Sequence, residues 1–570
     1  MKGNDSMPKY SMPVGKSDFE KVRAAGDYYI DKTMLIEQIT ASSAEVILFT
    51  RPRRFGKSLN MSMLQHFFDI REKSKALFEG LAITENKELC DNWMNQYPTI
   101  LVSFKDVDGD DYINAAEQLR NIISKLYESH KYLIEDGCQL EEYETEKFMS
   151  LLAATSSDVN LKDSLHFLTK LLYNKYSKQV ILLIDEYDVP MAKGDSKGYY
   201  PKIAGVMRLL LSQALKDNPY IKLAVLTGCL RIAEESIFTG LNNLVVKDIT
   251  DTQYDEYFGF TSAETEKLLT DTGFPEHLPE CKEWYDGYIF GNKEVYCPWD
   301  VLNYIDALQH DTDAVPMNYW ANTSGNDAVR RFLESDFDVS EEFETLLGGG
   351  YVEKMINPNI TYGNLIKNEA NLWSVLYMTG YLTILQGSQP KRRFGQDGIV
   401  RGKFELPFKL RLPNREIKIL FEQTIAAWFE EKIFGEDRTE LFNAIWNGDE
   451  KKLASEIGKY LGDTISYLDY HENFYHAFLA GLLSGVKGVK VKSNREVGTG
   501  RADVILQNPR MGRVAIFEFK CTKEESQMDK LCDEAVRQIA DRKYSFPFRE
   551  EVVYKYGIAF YQKKCTVKKA

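Results

Sequence analysis

A chain of 570 residues and 65.6 kDa exceeds what one hydrophobic core organises, and points to about three domains. Hydrophobic residues make up 44% and charged residues 27%, which excludes wholesale disorder, collagen-like repeats and coiled-coil rods. No apolar run reaches the roughly 18 residues of a membrane span, and Met1 to Lys16 lacks the apolar stretch of a signal peptide, so a cytoplasmic location without membrane association is expected.

Eight cysteines (90, 138, 229, 281, 297, 521, 532 and 565) are scattered with no C-x-x-C pair, the pattern of reduced thiols rather than of a disulfide framework or zinc site. His66, His471 and His476 have no metal-ligand spacing with partners. The net charge of −14 is uneven: Gly481 to Ala570 carries 19 Lys and Arg against 11 Asp and Glu. A basic C-terminal part on an acidic body suits a polyanion; the alternative is a solvated basic tail at Lys563, Lys564, Lys568 and Lys569.

Residues 1–250 alternate short apolar strands with amphipathic helices, which predicts α/β architecture with a parallel sheet. The strands are Glu45–Thr50, Thr99–Phe104, Gln179–Asp185 and Ile221–Thr227, mostly continuous apolar runs of the kind covered on both faces. Residues 251–465 are richer in helix, with segments at Ala263–Asp271, Asp327–Glu334, Ala370–Gly380 and Ile417–Phe434. Tyr381–Leu385 and Phe404–Leu412 then suggest a winged-helix-like hairpin. The glycines at 348–350 read as a flexible turn, with a linker as the alternative. Residues 466–570 return to mixed α/β, in the order helix, three strands, helix, strand.

The first chemical motif is Val46-Ile-Leu-Phe-Thr-Arg-Pro-Arg-Arg-Phe-Gly-Lys-Ser58: a strand, a tight loop and a helix start. Gly56 lets backbone amides converge on phosphate oxygens at a helix N-terminus. Lys57 is placed to reach the β and γ phosphates, and the Ser58 hydroxyl to complete a Mg²⁺ shell. The strict G-x-x-x-x-G-K-[ST] rule fails, because Arg51 holds the first glycine position. Support comes from Val180-Ile-Leu-Leu-Ile-Asp-Glu, an apolar strand ending in two carboxylates. Asp185 is expected to hold Mg²⁺ and Glu186 to polarise the attacking water. At the end of the next strand Thr227 stands where a polar residue touches the γ-phosphate or its water, and Arg231 offers positive charge or is a surface arginine.

In the C-terminal part, Asp503 and Glu518 fall on adjacent antiparallel strands and are expected to converge on Mg²⁺ or Mn²⁺. Alternation places Lys520 on the face of Glu518, where an ammonium can activate water or neutralise a phosphate. Glu472, opening a helix, and Gln538, on a later helix, are auxiliary candidates. Structural salt bridges are the alternative.

Tyr28–Thr33, Arg51–Ser58, Leu183–Asp188, Leu226–Arg231 and Trp284–Tyr288 together resemble the AAA-ATPase-like family, whose bacterial members commonly carry a C-terminal PD-(D/E)xK nuclease-like domain. The resemblance implies a P-loop ATPase related to AAA+ and STAND-type proteins over residues 1–250, a helical lid and winged-helix-like region over 251–465 and a nuclease-like domain over 466–570. It implies ATP and Mg²⁺ bound by Arg53, Arg54, Phe55, Gly56, Lys57, Ser58, Leu59, Asp185, Thr227 and Arg231. It leaves the subunit number open, since AAA+-like relatives often assemble rings. The C-terminal domain either cleaves nucleic acid or, as in a switch, binds nucleic acid or protein without cleavage. Asp31 and Lys32 either shape the adenine side or cap the following helix, and Trp284, Tyr285 and Tyr288 either stack on a base or pack a core.

Overall fold

The computed structural model describes residues 10–135, 140–231, 243–320, 329–330, 337, 339–360, 368–388, 393–394, 400–434, 437–462, 472–484, 488–497, 500–522, 524–561 and 564–570. The predicted helix at Asp327–Glu334, His471 and turn residues 498–499 fall largely or wholly outside them. No helix among the described residues is long and apolar enough to cross a membrane.

Two compact units form: Met1–Ala328 with Glu353–Ile417, and Val329–Val352 with Lys418–Ala570. The middle segment at 251–465 is therefore divided between them.

The first unit is built on five parallel strands: β1 (Val46–Thr50), β2 (Thr99–Ser103), β3 (Val180–Asp185), β4 (Ile221–Gly228) and β5 (Leu244–Lys247), in the order β2-β3-β4-β1-β5. Every residue of β1 and β3 is buried, as continuous apolar runs require. Four of the strands were legible; β5 was not, since Leu244-Val-Val-Lys is short and only half-buried. Because β4 lies between β1 and β3, the phosphate-loop strand and the acidic strand end on either side of Thr227. Helix α1 (Lys57–Phe68) follows β1.

In the stretch Trp284-Tyr-Asp-Gly-Tyr the two tyrosines pack the core. Tyr285 is buried and its hydroxyl donates to Met317 O at 2.9 Å, while buried Tyr288 packs edge-on against Phe55 at 5.0 Å. Gly287 has φ +94, and an added Cβ would stand 2.2 Å from Pro413 O. Gly287→Ala is expected to cost about 2–5 kcal/mol in denaturant unfolding of the first unit, from backbone strain and overpacking together. Helix Glu369–Met378 precedes Thr383–Ile384 and Phe408–Arg411, which pair antiparallel with each other, and Val352–Lys354 is the third strand of their sheet, beside Phe408–Arg411.

The second unit carries the sheet β6 (Lys490–Val497), β7 (Gly500–Asn508), β8 (Arg513–Cys521), β9 (Val552–Tyr561) and β10 (Lys564–Lys569), hydrogen-bonded in that order. Only the β8–β9 pair is parallel. Helix α2 (Glu472–Leu483) precedes the sheet, and α3 (Met528–Asp541) connects β8 to β9. The described part of the basic tail is thus an edge strand, on which Lys564 and Lys569 stay exposed. Lys564 pairs with Glu525 at 2.7 Å and Lys568 with Asp533 at 2.9 Å. Its lysine-rich sequence hides it, because lysines protect an edge strand while masking its alternation. Helices Thr439–Asn447 and Glu450–Gly462 belong to the same unit: Tyr556 donates to Ile445 O at 2.6 Å, and the Lys569 amide to Glu450 at 2.8 Å.

Candidate functional sites

In the first unit the loop between β1 and α1 is pinned from behind. Arg51 is completely buried, and its guanidinium donates to Thr50 O, Lys247 O and Tyr254 O at 2.8, 2.9 and 3.3 Å. It also lies over the Phe258 ring at 5.0 Å. Burial pulls its pKa down to about 10. The residue that breaks the generic glycine rule is therefore an anchor for the loop. Phe55 is a second anchor, fully buried against Tyr288 and Phe290.

Gly56 has φ +79 and caps the N-terminus of α1, with no atom near its missing Cβ. Glycine is needed there for conformation, not space. The Lys57 ammonium is buried at the loop, donating to Pro52 O at 2.8 Å and Arg51 O at 3.0 Å, with Cys229 Sγ at 3.8 Å. Ser58 donates to Asp185 Oδ2 at 2.6 Å, and Thr227 donates to Asp185 Oδ1 at 2.5 Å. Three adjacent elements thus converge on one carboxylate. Glu186, one residue on, has φ +52, and its amide donates to Thr227 Oγ1 at 3.4 Å. Left-handed backbone at a non-glycine residue costs about 1–3 kcal/mol and persists only where its surroundings hold it, here the bond to Thr227. Burial, then Asp185 and Asp188, raise its carboxyl pKa against the opposing charges of Lys57 and Arg53. Asp188 accepts the amides of Cys229 and Leu230 at 2.8 and 3.0 Å, fixing the turn after β4.

A cavity of about 260 Å³ opens beside this loop, lined by Arg54 through Asn60 and Glu186. Its other wall is largely apolar: Pro13, Val14, Tyr29, Trp299 and Leu302 contribute. Sequence reasoning missed that wall. Its only trace in the sequence is Pro13-Val14-Gly15, an apolar interruption in the polar segment Met1 to Lys16. Lys16 and Asp27, ion-paired at 2.5 Å, brace it. Arg53 and Arg231 stand outside the cavity wall.

Asp31 accepts the Thr33 amide at 2.9 Å and the Ala82 amide at 2.7 Å, ordering the entry to helix Met34–Thr40. Lys32 lines the cavity but is engaged with Glu264 at 2.6 Å and Glu256 O at 2.6 Å. His66 comes together with Asp18 and Glu20, ligand atoms within 4.8 Å of one another, but Asp18 already caps helix Phe19–Ala24.

In the second unit, Val504 of β7 pairs with Phe517 of β8, which brings Asp503 level with Glu518. Asp503 Oδ2 accepts the Phe519 amide at 3.0 Å. Glu518 is 1% exposed; its Oε1 accepts a hydrogen bond from Gln538 of α3 and lies 3.7 Å from the Lys520 ammonium. Glu518 Oε2 is buried with no hydrogen-bond partner among the described residues. Burial and the Asp503 charge push the Glu518 carboxyl up to about 7. Two close carboxylates with a bare buried oxygen fit a divalent cation. Glu472 takes the first position of α2. Tyr544, buried and in hydrogen-bonding reach of Gln538, also borders this site and was not anticipated.

Residues 13–238 match the family model of a predicted AAA-ATPase, and residues 470–570 match the PD-(D/E)XK nuclease superfamily. A protein of Azotobacter chroococcum mcd 1, described as an uncharacterized protein in the vnfD 5′ region, is 25% identical over 584 residues, covering 97% of each chain. Among solved structures, the Aeropyrum pernix ORC2 protein in ADPNP-ADP complexes is similar at 10% identity and a TM-score of 0.23, over 74% of this chain and 97% of that one.

Proposed function

We propose that the chain binds and hydrolyses ATP in its first unit and cleaves phosphodiester bonds of nucleic acid in its second, a reading supported by the match of residues 13–238 to the predicted AAA-ATPase model and of residues 470–570 to the PD-(D/E)XK nuclease superfamily. The observation that carries the reading is the convergence of Ser58 and Thr227 on Asp185 beside a glycine-capped helix N-terminus.

In this reading the amides at Gly56 to Ser58 take the triphosphate, and Lys57 exchanges the Arg51 and Pro52 carbonyls for phosphate oxygens. Ser58 and Asp185 would hold Mg²⁺, which neutralises phosphate charge when bound. Glu186 accepts the proton of the attacking water, a task suited by its raised pKa. Thr227 keeps Asp185 and the Glu186 amide in register. The adenine ring occupies the apolar cavity beside Trp299.

At the second site Asp503 and Glu518 would hold Mg²⁺ or Mn²⁺, which supplies an acidified water. Gln538 orients Glu518, and Lys520 offsets charge on the phosphate. The test is parallel measurement of ATP turnover and of DNA and RNA cleavage, with Mg²⁺ and with Mn²⁺. Activity of both kinds is expected. Salt-sensitive nucleic-acid binding without cleavage under every condition would contradict the second half.

A further inference from the structure

Behind Arg54 lies a cluster that neither reaction uses. Asp300 and Glu416 are both completely buried, and their carboxyl groups are within hydrogen-bonding reach of each other. Glu416 Oε1 accepts the Trp320 amide at 2.8 Å. Among the described residues no N–H or O–H reaches either oxygen of Asp300 or Glu416 Oε2. Two ionised carboxylates do not persist side by side in such a place, whereas one proton between them removes the repulsion and satisfies an oxygen on each. Burial raises both groups, and Glu416 further because of the Asp300 charge. The pair then carries a single negative charge.

The cation bearing on that charge is Arg54. Its guanidinium lies 4.2 Å over the ring of Trp299, the residue before Asp300. Its Nη1 donates at 3.2 Å to the carbonyl of Tyr319, the residue before the Trp320 that Glu416 holds. The Cys297 thiol faces both the Arg54 carbonyl, at 3.9 Å, and Asp300. The other ionisable neighbours among the described residues, Cys281, Tyr285, Tyr288 and Tyr319, are raised by burial and so neutral. Arg54 itself has φ +71 and is pushed by Arg53 on one side. Both segments that grip it are thus tied to the acid pair.

We propose that Asp300 and Glu416 share one proton and act as a positioning pair for Arg54, fixing its guanidinium in the wall of the nucleotide cavity. The proposal rests on the ATP reading of that cavity.

Two measurements on the full chain test it. In infrared spectra at about pH 8.5, where ordinary carboxyls are ionised, the wild type should show the carbonyl stretch of a protonated acid. Glu416→Gln should remove it and Arg54→Met should not; a band that survives Glu416→Gln contradicts the shared proton. Affinity for a fluorescent ATP analogue with Mg²⁺ is the second. Glu416→Ala, Asp300→Asn and Arg54→Met should each weaken binding about tenfold. Glu416→Gln leaves the negative charge on Asp300, the carboxylate on which Arg54 bears, and offers it an N–H, so it should bind within about twofold of wild type. Asp300→Ser replaces Asp300→Asn if the latter does not fold. The double variant Asp300→Asn with Arg54→Met should bind no worse than Arg54→Met alone. Additive losses would overturn the positioning role, since a merely structural acid acts independently of Arg54. If the wild type binds no nucleotide, the ATP reading fails and the positioning role with it, while the infrared band still decides whether the proton is shared.

Discussion

Lys57→Ala is expected to weaken ATP binding by about a hundredfold or more, because the buried ammonium is the cation at the loop mouth and losing a desolvated charge contact costs about 2–5 kcal/mol. Glu186→Gln should separate binding from chemistry. The amide keeps the size and the φ +52 backbone of Glu186 but cannot accept the proton of water. Affinity should stay within a fewfold of wild type while turnover falls by about 10²–10⁴, the usual worth of general base catalysis. Equilibrium binding of labelled ATP and steady-state phosphate release check the two halves. Normal turnover in Lys57→Ala would remove the loop assignment.

Asp503→Ala is expected to abolish cleavage, and Glu518→Gln to do the same while stabilising the metal-free chain. A carboxyl raised from about 4.5 to about 7 by burial and a like charge is held protonated in the folded state. Its contribution to stability is fully present below about pH 4.5 and is lost as the pH rises through about 7, up to about 3 kcal/mol in all. A divalent ion competes with that proton. Mn²⁺ should therefore raise the melting temperature clearly at about pH 8 and little at about pH 5.5. Glu518→Gln should melt higher than wild type without metal at about pH 8 and lose the response to Mn²⁺. An unchanged Mn²⁺ shift in both Asp503→Ala and Glu518→Gln would place the ion elsewhere.

Most residues of the two candidate sites were legible because their spacing is local. Gly56, Lys57 and Ser58 are consecutive, Asp185 ends an apolar run, and Glu518 and Lys520 alternate on one strand. The long-range parts were not. Nothing in the order of residues says that Arg51 reaches Lys247 O, that Thr227 donates to Asp185, or that Trp299 comes beneath Arg54. Lys32 and Tyr288 stand in conspicuous motifs, yet one is engaged in an ion pair and the other is packed in the core. Strand β10 escaped notice because its lysines are matched by acids of α3 and its approach, which only the fold brings opposite them.

Mn²⁺ binding measured by calorimetry, with and without a non-hydrolysable ATP analogue, tests the whole account most directly. Two ions are expected: one that needs the nucleotide and disappears in Asp185→Ala, and one that ignores the nucleotide and disappears in Asp503→Ala. Identical stoichiometry in the wild type and both variants would contradict it.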